Sequence, residues 1–219
     1  MTERQTPADR RHHIRAMIAE VVHDAVCDFS QSDGFALCQL YTVAGYALLS
    51  RMDGPQWVMQ AGSAWLLADP PDGWWHYDAT TPYALERGEF HCWLAKAGAT
   101  KGGPPAEFVD FSARHFHRIV DEMVANGAIN GGGTRPWTLT TEPPPFIWTE
   151  GTQSAWVRWD PHPDMCRALW TTVLERMEQY GPLMRLVFER YRALASALHR
   201  PYGLAGGSRV SGASGAGSQ

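Results

Sequence analysis

The chain reads as an α+β protein, with helices first, then an antiparallel run of strands, then helices again. Residues 11–29 carry apolar side chains at three- and four-residue steps, which is the spacing of one helix face. Near the C-terminus, apolar ridges at 163–180 and 182–198 predict two closing helices. Between them lie short apolar and aromatic runs punctuated by Gly and Pro, the mark of strands. Strands gathered between helices, rather than alternating with them, favour a helix-packed antiparallel sheet.

The elements follow in order. Residues 1–10 are expected to fray. The first helix, 11–29, buries Ile14, Ile18, Val21, Val22, Ala25 and Val26, and Gln31-Ser32-Asp33-Gly34 breaks it. A second helix over 36–51 is apolar on most sides (Leu37, Leu40, Val43, Ala44, Tyr46, Ala47, Leu48, Leu49), so it belongs at the centre of the fold. Gly45 in its interior costs about 1 kcal/mol relative to Ala, which a close packing contact would explain. Residues 57–67 read as one strand or two joined ones, 69–73 as a loop, and 74–86 as an aromatic, irregular stretch. Strands are expected at 89–97 and 107–111, a helix at 112–125, a Gly/Thr/Pro loop at 127–145, and short strands at 146–149 and 155–159. One domain over 1–202 and a disordered Gly/Ser/Ala tail over 203–219 complete the reading.

Composition limits the function. A net charge of −4 gives no basic footprint for nucleic acid and no polybasic patch for a membrane surface. No stretch approaches the roughly 20 apolar residues of a membrane span, and the polar N-terminus does not read as a secretory signal. The four cysteines, Cys27, Cys38, Cys92 and Cys166, are scattered, which suits free thiols in a reducing compartment, the cytoplasm. Ten tryptophans exceed what core packing usually needs, so some are expected to line a cleft.

Three residues carry the chemistry. Cys38 follows a Ser-Asp-Gly turn and lies in the first turn of the central helix. Unpaired N–H groups and the positive end of the macrodipole favour a thiolate there. Elsewhere on a core helix a cysteine is usually a small hydrophobe. His91 sits in the strand Phe90-His91-Cys92-Trp93-Leu94. Alternation puts Phe90 and Cys92 on one face and Glu89, His91 and Trp93 on the other, and His91 is expected to face the Cys38 helix. Its plainer role is a core histidine bonded to backbone. Asp110 lies in the apolar strand Phe108-Val109-Asp110-Phe111, where an unpaired carboxylate is costly, so it needs a partner. Its plainer role is a cap for the helix beginning near Ser112.

Taken in order, Cys38, His91 and Asp110 form a nucleophile, base and orienter series. The oxyanion would be received by the Cys38 backbone N–H, with Gln31 or Gln39 as side-chain donor. The aromatic insertion over 69–88 offers Trp74, Trp75 and Tyr77, and Trp93 joins them, as a substrate-binding surface; its plainer role is a packed cover over the sheet.

These residues resemble the transglutaminase-like branch of the papain-like cysteine proteases. The superfamily includes arylamine N-acetyltransferases and the leader peptidases of lasso-peptide pathways. The likeness rests on Cys38 opening a central helix, the Phe90-His91-Cys92-Trp93-Leu94 strand and the Asp110 strand, and it spans about residues 30–115. It implies a helix packed on antiparallel sheet but no substrate. From the triad itself, attack on a peptide, isopeptide or small-molecule amide through a thioester is expected, with no cofactor. Two departures stand out. Ala95 occupies a position that is often acidic, and Gly34-Phe35-Ala36-Leu37 replaces the acetyltransferases' Arg-Gly-Gly, which speaks against acetyl-CoA.

Two other readings compete. Cys38, His91, Cys92, His115 and His117 are soft or borderline zinc ligands, though His115 and His117 diverge if they lie on a helix. Alternatively, an inactive scaffold of the same fold would bind a peptide or aromatic ligand.

Overall fold

The computed structural model describes residues 6–67, 74–77, 90–98, 100, 103–125, 144–151, 154 and 157–199. It is an α+β fold: most of the helices pack on one face of a curled antiparallel sheet, and one packs on the other. The expected loop at 127–145 (through residue 143) and the tail from 203 lie outside the described residues.

Helix α1 spans Pro7–Ser30, four residues longer at its start than the apolar spacing predicted. The reason is local. Thr6 and Asp9 form a capping box, with the Thr6 hydroxyl accepting from the Asp9 N–H and the Asp9 carboxylate accepting from the Thr6 N–H. Pro7 fills the first helical position, where its missing N–H costs nothing. Helix α2 spans Cys38–Asp53. An ideal Cβ on Gly45 would sit 2.5 Å from the Phe111 ring and 2.9 Å from Leu94, so the missing side chain lets α2 close onto the sheet.

The strands are β1 (Trp57–Leu67), β2 (Trp74–Tyr77), β3 (His91–Lys96), β4 (Glu107–Asp110), β5 (Ile147–Glu150) and β6 (Val157–Pro161). Residues 57–67 form one strand rather than two, and Trp74–Tyr77 pairs as strand where irregular chain was expected. A 3-10 turn at Ala113–His115 leads to α3 (Phe116–Ala125); α4 (Pro163–Glu175) and α5 (Met177–His199) close the chain. The break between the last two falls at Arg176, not at Gly181-Pro182. Pro182 lies inside α5, where it cannot donate to the Glu178 carbonyl one turn back.

Strand β1 organises the sheet. Gly62 pairs at once with His91 and Pro161, and Ala64 at once with Tyr77 and Trp159. A strand residue has one neighbour on each edge. Strand β6 therefore runs along one edge of β1, while β2 and β3 share the other, end to end. Chain that leaves after Tyr77 returns at His91, only one β1 residue away. Beyond β3 lie β4 and then β5, all antiparallel. Gly62 also permits close approach, since a Cβ there would lie 2.3 Å from the Asp160 carbonyl oxygen.

Two cores sit on the two faces. On one face Phe90, Cys92, Leu94, Val109 and Phe111 pack under α1, α2, α4 and α5. On the other, Trp93, Ala95, Phe108, Phe116, Ile147 and Trp159 form a smaller core. Trp159 of β6 stacks on Phe108 of β4 at 5.5 Å although two strands separate them. In a flat sheet they would stand about 14 Å apart, at ~4.8 Å per strand. The sheet is therefore curled, and this second face is its concave side.

Candidate active site

The nucleophile position is built by the chain just before α2. Leu37 caps the helix without any side-chain hydrogen bond, so the first N–H groups of α2 have no side-chain acceptor among the described residues. Ala36 holds a positive φ of 57°, which costs an L-residue about 1 kcal/mol. The surroundings offset that strain. Arg118 pairs with Asp33 and stacks over Phe35 at 4.0 Å, and Phe35 packs edge-on against His115. The loop leading to Cys38 is thus clamped to the turn and helix that follow β4.

His91 is 4% exposed and Asp110 1%. Their Nε2 and Oδ2 atoms lie 2.5 Å apart. The same Asp110 oxygen accepts from the Trp159 indole N–H at 3.4 Å, and its second oxygen accepts from the Ser112 N–H and hydroxyl at 2.9 and 2.8 Å. Asp110 therefore does both things the sequence left open: one oxygen caps the turn at Ser112, the other holds the imidazole. Trp93 stacks on His91 with centroids 5.9 Å apart, and Phe116 meets it edge-on at 5.3 Å.

The faces differ from expectation. Alternation separates Cys92 from His91 as predicted, but α2 packs on the Cys92 side: the Thr42 hydroxyl donates to the Cys92 sulfur at 3.3 Å. His91 points to the concave side, away from the body of α2. The thiol still reaches it because Cys38 is the first residue of α2 and His91 the first of β3. Cys38 Sγ lies 3.7 Å from the Phe90 carbonyl oxygen, at the strand's entrance. There it lies close enough to Cys92 and His91 for both to act on its ionisation. With Nε2 taken by Asp110, Nδ1 is the nitrogen left for the thiol.

These contacts set the charges. Hydrogen bonding from Cys92 lowers the Cys38 pKa, burial opposes this, and the bond and charge of His91 lower it further, to about 5. Burial works against a charged His91, but the adjacent Asp110 carboxylate outweighs it and, with Cys38, holds the imidazole up at about 10. Burial raises Asp110, yet His91 and then Ser112 keep it below the usual carboxylate range. Cys92 is pushed well up, first by burial and then by Cys38. Between about pH 5 and 10 the pair is a thiolate beside an imidazolium.

Other predicted residues fall elsewhere. Gln31 is the left-handed C-cap of α1, and its amide donates to the Asp28 carbonyl. Gln39 stands beside Cys38, but its amide donates to the Tyr180 hydroxyl of α5 at 2.9 Å. Trp93 is 1% exposed and donates to Gln60 at 3.0 Å, so it is not an open binding surface; it supports His91 from the core. Trp74, Trp75 and Tyr77 lie on β2, in line with β3; their side chains, and residues 78–89, lie outside the described residues. The five candidate zinc ligands do not converge. His115 belongs to a separate chain in which His23 Nδ1 lies 2.6 Å from the Tyr41 hydroxyl and that hydroxyl 3.1 Å from His115 Nε2. His117 is exposed. No group of three or more His, Cys, Asp or Glu among the described residues is placed to hold a metal.

Sequence reasoning missed Ser112, Phe116, Trp159 and Tyr180 as parts of the site. Ser112 had a signal, since Asp-x-Ser favours this local turn. The other three come from distant chain and had none. No helix among the described residues is long and apolar enough to cross a membrane. No family model and no curated protein matches the chain. It is similar to a solved structure described as "The crystal structure of genomics APC5867", with 14% identity and a TM-score of 0.45 over 78% of this chain and 75% of that one, a likeness too slight to carry an argument.

Proposed function

We propose that the chain is a cysteine-dependent hydrolase or acyltransferase acting on a peptide or isopeptide amide. The observation that carries this reading is the series from Cys38 through His91 to Asp110, closed by the buried 2.5 Å contact between His91 and Asp110. Cys38 attacks the amide carbonyl as a thiolate, and the oxyanion meets the uncapped N–H groups that open α2. His91 gives its Nδ1 proton to the leaving amine. The resulting thioester is resolved by water or an acceptor amine, from which His91 takes a proton. Asp110 keeps the imidazole oriented and charged. Four free cysteines accord with a reducing compartment, the cytoplasm.

A peptide-library digest with and without an added primary amine tests this reading. Hydrolysed or amine-capped products, and a Cys38 acyl adduct by mass spectrometry, are expected. No turnover in either arm, with slow alkylation of Cys38, would leave the inactive-scaffold reading instead.

A further inference from the structure

We propose that Cys38 and Cys92 form a reversible oxidation site: a hydroperoxide oxidises Cys38, and Cys92 then closes a disulfide onto it. The inference rests on Cys38 being the activated thiolate of the function proposed above.

The geometry comes from two spacings. Cys38 and Thr42 are four residues apart, hence on one face of α2. Phe90 and Cys92 are two apart, on one side of the chain as it enters β3. Cys38 Sγ lies 3.7 Å from the Phe90 oxygen, and the Thr42 hydroxyl bonds the Cys92 sulfur at 3.3 Å. The first turn of α2 therefore lies along the start of β3, which sets the two thiols beside each other. The pair is also asymmetric. Cys38 is half-buried, whereas Cys92 is buried. The first oxidation falls on the low-pKa, less buried sulfur, and the second thiol is held in reserve beside it.

The electrons balance with the peroxide as oxidant. The Cys38 thiolate attacks a peroxide oxygen, the O–O bond breaks, and an alcohol or water leaves after taking a proton. Cys38 is now a sulfenic acid. Cys92 sulfur attacks the Cys38 sulfur, the S–O bond breaks, and the departing hydroxide takes the Cys92 proton as water. Loss of the Cys38 thiolate also relieves one cause of the raised Cys92 pKa. A dithiol reverses the bridge. While it lasts, Cys38 cannot attack an amide. The site would thus be switched off under peroxide and protected from irreversible over-oxidation.

The test treats the intact chain with hydrogen peroxide. Peptides are mapped without reduction, and Cys38 alkylation by iodoacetamide is followed before and after dithiothreitol. A Cys38–Cys92 linked peptide is expected, with alkylation lost on oxidation and restored by dithiothreitol. In Cys92→Ala, Cys38 should instead gain two or three oxygens, and dithiothreitol should not restore it. Cys166 sits 3.4 Å from the backbone of Ala61, the residue paired with Cys92, so it is the competing partner. Linkage through Cys166 or Cys27, or recovery in Cys92→Ala as complete as in the parent chain, overturns the proposal. The linked peptide of the parent chain decides the matter even if the variant does not fold. Rapid alkylation without linkage removes only this inference; slow alkylation of Cys38 removes it together with the proposed function.

Discussion

Asp110 touches no solvent, yet the ionisation of Cys38 depends on it through His91. In Asp110→Asn the imidazolium loses its counter-charge and the thiolate loses its stabilising cation. Direct repulsion between Asp110 and Cys38 works the other way, but it is the smallest of the named influences. The thiol pKa should rise, and iodoacetamide labelling of Cys38 near pH 6 should fall about tenfold or more. In the parent chain the labelling rate should hold nearly level down to about pH 5. Cys27, Cys92 and Cys166 all have raised pKa values, so they should label far more slowly at that pH. Equal labelling of any of them would mean that Cys38 is not the activated thiol. The trio itself was legible as candidates: a cysteine at a helix start and a carboxylate in an apolar strand are each anomalies that physics asks to be explained. The contact between Cys38 and Cys92 was not legible, because the strand pattern fixes the face of Cys92 but not which helix lies on that face.

At the level of elements, α2 packs along β3 with the thiol and the base at the starts of the two, so small changes in their approach move the thiol relative to the base. Gly45→Ala tests this. Helix propensity alone would stabilise α2 by about 1 kcal/mol. The new methyl would crowd Phe111 and Leu94 at under 3 Å, so a net loss of about 1–3 kcal/mol is expected in denaturant midpoints. A stabilised variant would show that α2 does not pack this tightly. Strands β2 and β3 share one edge of β1, which places Tyr77 at the end of β2 near His91 at the start of β3. Trp74→Ala and Trp75→Ala are therefore expected to lower kcat/KM on a peptide substrate and leave Tm nearly unchanged. A loss of ~3–5 kcal/mol, typical of core Trp truncation, would make them core instead. Element boundaries were readable where a local device sets them, as with Gln31-Ser32-Asp33-Gly34 after α1. The capping box at Thr6 was readable too and was outweighed by the polar character of residues 1–10. The break at Arg176 was not, since nothing in that residue's type marks it.

On the scale of the whole molecule, the buried charges tie stability to pH. Burial opposes a charged His91, but Asp110 and, after it, Cys38 raise its pKa from 6.5 to about 10. A raised folded-state pKa means that the folded state binds the proton more tightly than the unfolded one. Its contribution is complete below pH 6.5 and is lost as pH rises through about 10. In a Cys38→Ser background, where Asp110 alone holds the imidazolium, the Tm advantage of His91 over His91→Gln should therefore shrink as pH rises above 6.5. An advantage that grows with pH would mean that His91 is buried neutral. The α+β class follows from apolar spacing, because periodicity reports which residues face a core whatever that core contains. The sequence by itself determined the class, the order of its elements and the residue types able to do cysteine chemistry, since all of these depend on neighbours a few positions apart. Only the tertiary structure decided that α2 packs on the Cys92 face, that Trp159 and Ser112 complete the hold on Asp110, and that Trp93 serves the core. Those outcomes depend on strand register and on a curl that brings β6 over β4, which arise from contacts between segments distant in the chain.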